Sequence, residues 1–189
     1  MATDQLTALN MMLATIGEAP VSDYNSTIPE ATQARLTLEN INREVQSMGL
    51  HCNTDYDVPM VPDAVTKKIA VGATVLFIDP KYANEDDGVQ RGLFLYDRAN
   101  RTFEWTKTIY CTVVTQLSFT DLPEPHRYYI AVRAARIFQQ QVLGSDSLER
   151  FTADDEARAR VMMMNLEMRS SDHRMVEYSP VYDIIQRRW

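Results

Sequence analysis

The chain has 189 residues, 45% hydrophobic and 24% charged, with six glycines and eight prolines. That is globular usage for about one domain, and it excludes a disordered, collagen-like or linker-dominated chain. The net charge of −7 is spread as −4 over residues 1–50, −2 over 51–120, −1 over 121–170 and 0 over 171–189, so no basic block exists to grip a phosphate backbone.

Residues 1–50 read as two helices. In the first, Leu6, Leu9, Leu13 and Ile16 share one face. Thr3 or Asp4 can cap it, and Gly17 with Pro20 ends it. In the second, Ala34, Leu38, Ile41, Val45 and Met48 form the apolar seam. Thr27-x-x-Glu30 has capping-box form with Pro29 in the first turn, and Gly49 is the stop.

Residues 51–120 change texture. Pro59, Pro62 and Pro80 forbid a long helix. Val71–Ile78 fits a strand or a helix. GLFLY at 92–96 and TFEW at 102–105 flank a five-residue loop and predict a hairpin. TIYCTVVTQLSF at 108–119 predicts a further strand. The segment reads as a small antiparallel β domain set between helices.

Residues 121–170 return to helix. Asp121, Pro123, Glu124 and Pro125 open the third, whose face is Tyr128, Ala131 or Val132, Ala135, Phe138 and Val142, with Gly144 as the stop. Ser145 or Ser147 caps the fourth, whose predicted face is Leu148, Phe151, Ala157, Val161, Met164 and Met168. The expected fold class is therefore α+β and mostly α. A four-helix bundle (1–50 and 121–170) carries the β domain (51–120) between helices 2 and 3, and a C-terminal docking tail (171–189) follows.

That tail is rich in apolar residues for a chain end. Ser179, Pro180 and Asp183 make a helix start, and Arg187 and Arg188 suit its last turn. Val181, Ile185 and Trp189 fall on one face, with Tyr178 and Tyr182 nearby. A helix of about ten residues is marginal alone, so it must dock on its own bundle or on another chain.

Catalytic signatures are missing from the sequence. His51, His126 and His173 stand in no metal-binding spacing, and there is no GxSxG, Walker A or GxGxxG. No catalytic, cofactor-binding or metal-binding residue is assigned. Cys52 and Cys111 read as free thiols, Cys52 as a small buried hydrophobe rather than a nucleophile. Asp86–Asp87 and Asp154–Asp155–Glu156 could be imagined as the acids of a glycosidase, but they read as solvated charge. Arg127, Arg133 and Arg136 of the third helix either pair with acids of the fourth or bridge subunits. No apolar run approaches the ~18 residues of a membrane span, and MATDQLTALN lacks the form of a secretory signal, so synthesis in the cytosol is expected.

LTALNMMLATIGEAPV at 6–21, ARLTLENINREVQSMG at 34–49, LPEPHRYYIAVRAARIFQQQVLG at 122–144 and DDEARARVMMMNLEM at 154–168 resemble the tail tubular protein A family of T7-like short-tailed bacteriophages, the head-to-tail adaptor. The resemblance implies a structural, non-enzymatic virion protein, assembled in the host cytoplasm. It further implies a ring of about twelve subunits under the portal protein, with the nozzle (tail tubular protein B) below and tail fibre protein near that junction. DNA would pass through without specific binding, and no membrane partner is implied. Tyr178, Val181, Tyr182, Ile185 and Trp189 become the expected portal anchors, and Arg127, Arg133 and Arg136 the expected subunit-interface residues. A peptidoglycan or polysaccharide hydrolase is the alternative reading.

Overall fold

The computed structural model of the chain describes residues 3–81, 87–144 and 146–177, with side chains described over all of these except 146–152 and 171–177. The fold is α+β and divides into two compact units, Met1–Asn42 with Phe119–Trp189, and Arg43–Ser118.

The first unit holds α1 (Gln5–Thr15), most of α2 (Pro29–Gln46), α3 (Glu124–Leu143) and α4 (Asp146–Glu177). Asp4 caps α1 by accepting from the Thr7 N–H at 2.7 Å. The alternative cap, Thr3, is occupied elsewhere: its N–H and hydroxyl donate to the Glu124 carboxylate on α3. Ala8, Leu9, Met12 and Leu13 are buried on α1, while Leu6 and Ile16 are half-buried. The Asn10 amide pairs with both backbone groups of Val21 and pins the following loop. On α2 the seam Ala34, Leu38, Ile41 and Val45 is buried as the spacing predicts. Met48 is exposed because the helix ends at Gln46, before Gly49 takes a φ of 75°.

The central helix is α3, which packs against α1 on one side and α4 on the other. Tyr129, Ile130, Ala134 and Phe138 fill that position, and Gln139 reaches back to donate to the Thr15 carbonyl at the end of α1. Tyr128 and Val142, expected on the buried face, stand exposed at its margins. Gly144 closes α3 in the left-handed conformation at φ 58°. The fourth helix departs furthest from expectation. Its buried residues in the described range are Ala159 and Met163, with Glu156, Leu166 and Glu167 half-buried. Ala157, Val161, Met164 and Met168, the predicted core face, point outward. The helix also runs on to Glu177, so residues 171–177 continue it.

The second unit is built on β5 (Ile109–Thr115), the centre of an antiparallel sheet flanked by β1 (Thr54–Met60) and β2 (Val75–Pro80). Pro59 lies on the edge strand β1, where a missing N–H costs no ladder bond. Of the 71–78 run, residues 75–78 lie in the strand β2 and residues 71–74 precede it outside any strand or helix. A two-stranded ribbon joins β3 (Gly88–Arg91) to β4 (Phe94–Asp97). The predicted hairpin pairing of 92–96 with 102–105 is thus replaced. Gly92, at φ 64°, supplies the turn between β3 and β4, and the 97–102 turn closes through only one bridge, Asp97–Thr102. Ile69, Val71, Ile78, Leu95, Trp105, Ile109, Cys111 and Val113 form the core of this unit. The Trp105 indole N–H donates to the Leu95 carbonyl at 3.0 Å, satisfying its one donor in the apolar interior.

Candidate functional site

The densest charged arrangement lies between α3 and α4. Arg133 Nη1 donates to Glu156 Oε1 at 2.7 Å, and Arg136 Nε donates to Glu156 Oε2. Burial alone would raise the Glu156 carboxyl. The hydrogen bonds from Arg136 and Arg133 outweigh it and hold the group below the ordinary range. One carboxylate thus ties two α3 turns to α4. Its inward position is the reason the helix phase differs from the apolar pattern.

Two further links extend this arrangement along α3. His126 is buried at 1% exposure, and its Nε2 lies 2.7 Å from Glu167 Oε1. A carboxylate only accepts, so this contact places a proton on Nε2. Glu124 receives Thr3, and Arg127 Nη2 lies 3.2 Å from Glu124 Oε2. Burial would raise Glu124, but the Thr3 hydrogen bonds and then Arg127 bring it below its ordinary value.

Each of Arg127, Arg133 and Arg136 therefore has an acidic partner in its own chain. Glu156, read as solvated, is instead an internal ion-pair partner. Asp155 pairs with Arg158 at 2.6 Å on the surface. Asp87 accepts from Arg98 Nε at 2.8 Å, and Asp86 lies outside the described residues. So do Tyr178, Val181, Tyr182, Ile185 and Trp189.

A shallow cleft of about 300 Å³ beside Trp105 is lined by Asp63, Lys67, Glu104 and Lys107. Asp63 is committed there to structure: it accepts from the Val65 and Thr66 N–H groups and the Thr66 hydroxyl. The Thr66 hydrogen bonds lower its carboxyl first of all, which makes it a poor general acid near neutrality. Among the described residues no cluster of three His, Cys, Asp or Glu side chains could hold a metal ion, and no helix is long and apolar enough to cross a membrane.

The paired groups hold α3 to α4 and to Thr3 at the start of the chain's first helix. What sequence reasoning missed is the outer face of α4. Between Ala157 and Ser170 it carries Val161, Met164 and Met168 at 59, 45 and 59% exposure, bordered by Arg158, Arg160 and Arg169. The signal was present in the sequence as a clean helical spacing, but spacing alone does not say which way a face points.

The family described as Tail tubular protein matches residues 6–173. Tail tubular protein A of Klebsiella phage KP34 is 27% identical over 167 residues, covering 88% of each chain.

Proposed function

The chain belongs to the tail tubular protein family, a structural protein of the bacteriophage tail, and from that premise we propose that it is the head-to-tail adaptor of a short-tailed phage. In this reading copies form a ring, of about twelve subunits as the resemblance implies, between the portal and the nozzle, with the tail fibre attached near the lower rim. DNA travels through the ring during ejection. The four helices act as one bundle with the β unit as an insertion, and Tyr178, Val181, Tyr182, Ile185 and Trp189 anchor the C-terminal segment on the portal.

The observation that carries the reading is the extent of the family match, which runs from α1 to the end part of α4 and includes both units. The charge balance agrees with it. A net charge of −7 without a basic block suits a conduit wall that DNA passes without sticking. Of the carboxylates a hydrolase reading would use, Glu156, Asp87 and Asp155 are engaged as structural acceptors or surface pairs, and so is Asp63 beside the cleft.

Electron microscopy of the purified chain, alone and mixed with portal protein, tests this. The expected result is a ring of adaptor density coaxial with the portal. One copy bound per portal ring, or none, would refute the assignment.

A further inference from the structure

We propose that His126 and Glu167 form a clasp that closes the distal part of α4 onto α3, and that opening it releases residues 164–177 as one unit before the portal is engaged. The purpose of the release rests on the portal reading above; the clasp itself does not. Helix α4 lies mainly on α3. Its side-chain pairings, Glu156 with Arg133 and Arg136 and then Glu167 with His126, show that the two helices run antiparallel. Because α3 begins at Glu124, two residues before His126, while α4 runs ten residues past Glu167 to Glu177, α4 extends about 15 Å beyond the clasp.

The two parts of α4 are held differently. The proximal part has the double ion pair of Glu156 and the buried Ala159 and Met163. Beyond Met163 no described side chain of α4 is buried, and Leu166, Glu167 and Ser170 are half-buried. Glu167 therefore carries the one charged tie on this part, at 2.7 Å from His126 Nε2. The clasp is also incomplete. His126 Nδ1 is buried and has no hydrogen-bond partner among the described residues. A buried polar atom without a partner costs free energy that water would relieve, so exposing this ring offsets part of what opening loses. Residues 164–177 span about 21 Å as a helix but up to about 46–50 Å when extended. Release thus widens the range over which the residues after Glu177 can search for a partner. A helix of this length is marginal by itself, so once off α3 it unwinds and its amides exchange.

The test is hydrogen exchange read by mass spectrometry on the full-length chain near pH 7, without portal, for wild type and Glu167→Ala. Hydrogen bonds to charged groups are worth enough to predict exchange faster by roughly tenfold in peptides covering 168–177, with those covering 153–163 nearly unchanged. Alanine is the better helix former, so local propensity would change the rate the other way. Unchanged exchange over 168–177 overturns the clasp. Equal acceleration over 153–163 overturns it too, because α4 would then open as a whole. With portal added, Glu167→Ala should bind more tightly than wild type, since the fraction held closed no longer lowers the apparent affinity. Binding no tighter than wild type overturns release as the step before portal capture. Portal bound by neither form refutes the portal reading, and the exchange result then decides the clasp by itself.

Discussion

Arg133 and Glu156 meet at 2.7 Å across α3 and α4, twenty-three positions apart in the chain. The same carboxylate also holds Arg136. Glu156→Gln keeps the shape but leaves two guanidinium groups facing a neutral amide. Hydrogen bonds to charged groups contribute about 1.5–3 kcal/mol, so a loss of about 2 kcal/mol is expected. For a chain of this size that is a fall of about 4–8 °C in melting temperature, measurable by calorimetry. A change below 1 °C would mean the carboxylate does not tie the helices together.

Acid sensitivity follows from the same group and from Glu124. Both carboxyls sit below their ordinary value of 4.5 in the folded chain. Above that value folded and unfolded chains both carry the charge, and the stabilisation is fully present. As pH falls below 4.5 the unfolded chain takes up protons first, so stability declines until the folded carboxyls protonate as well. Wild type should lose stability below pH 4.5, and Glu156→Gln should show a shallower loss over that range. A steeper acid limb in the variant would contradict the ion-pair assignment.

In the second unit, Gln46 acts as a piece of backbone. Its amide donates to the Leu117 carbonyl at 3.0 Å and accepts from the Leu117 N–H at 2.7 Å. Gln46→Ala strands both groups of Leu117, at about 1–3 kcal/mol for each buried unsatisfied group. The expected readout is faster hydrogen exchange at the Leu117 amide together with a lower urea midpoint. Unchanged exchange at that amide would show that water replaces the side chain without cost.

The pattern of legibility follows the physics of these contacts. The α2 seam was readable because apolar spacing there coincides with burial, as at Ala34, Leu38, Ile41 and Val45. On α4 the same rule selected the outer face. Glu156 and Glu167 occupy the inner side because α3 offers them Arg133, Arg136 and His126, and no periodicity count contains that information. The strand β1 was hidden by Pro59 and by the irregularity between Asp55 and Val58. In the ribbon, Asp97–Arg101 looked like the hairpin loop, whereas the single glycine at 92 made the tighter turn. The arginines at 127, 133 and 136 were legible as a group but not as to partner, since within-chain and between-chain pairing leave the same sequence.

Gly92 gives a direct check on the ribbon. Its φ is 64°, and a Cβ added there would meet nothing within 4 Å. The cost of Gly92→Ala is therefore backbone strain alone, about 1–2 kcal/mol. The melting temperature should fall by about 2–8 °C, with the family-typical assembly unaffected at low temperature. A neutral outcome would mean the turn takes another conformation.

The C-terminal segment gives the last prediction, and the course of α4 decides where to cut. Helix α4 continues to Glu177, so a truncation after Ser171 would shorten it and confuse two effects. Removing residues 178–189 leaves α4 at its observed length and deletes Tyr178, Val181, Tyr182, Ile185 and Trp189 together. Aromatic and branched side chains bury apolar surface at ~25 cal/mol per Å², and tryptophan and tyrosine are frequent interface anchors. Repetition around a ring would strengthen such a contact by avidity. If these residues hold the portal, the shortened chain melts within about 2 °C of wild type, still self-associates, and loses portal binding in a pull-down. The competing arrangement, in which the segment folds back and completes its own bundle, requires a melting temperature many degrees lower. Full portal affinity in the truncated chain would exclude the segment as the portal anchor whatever its stability.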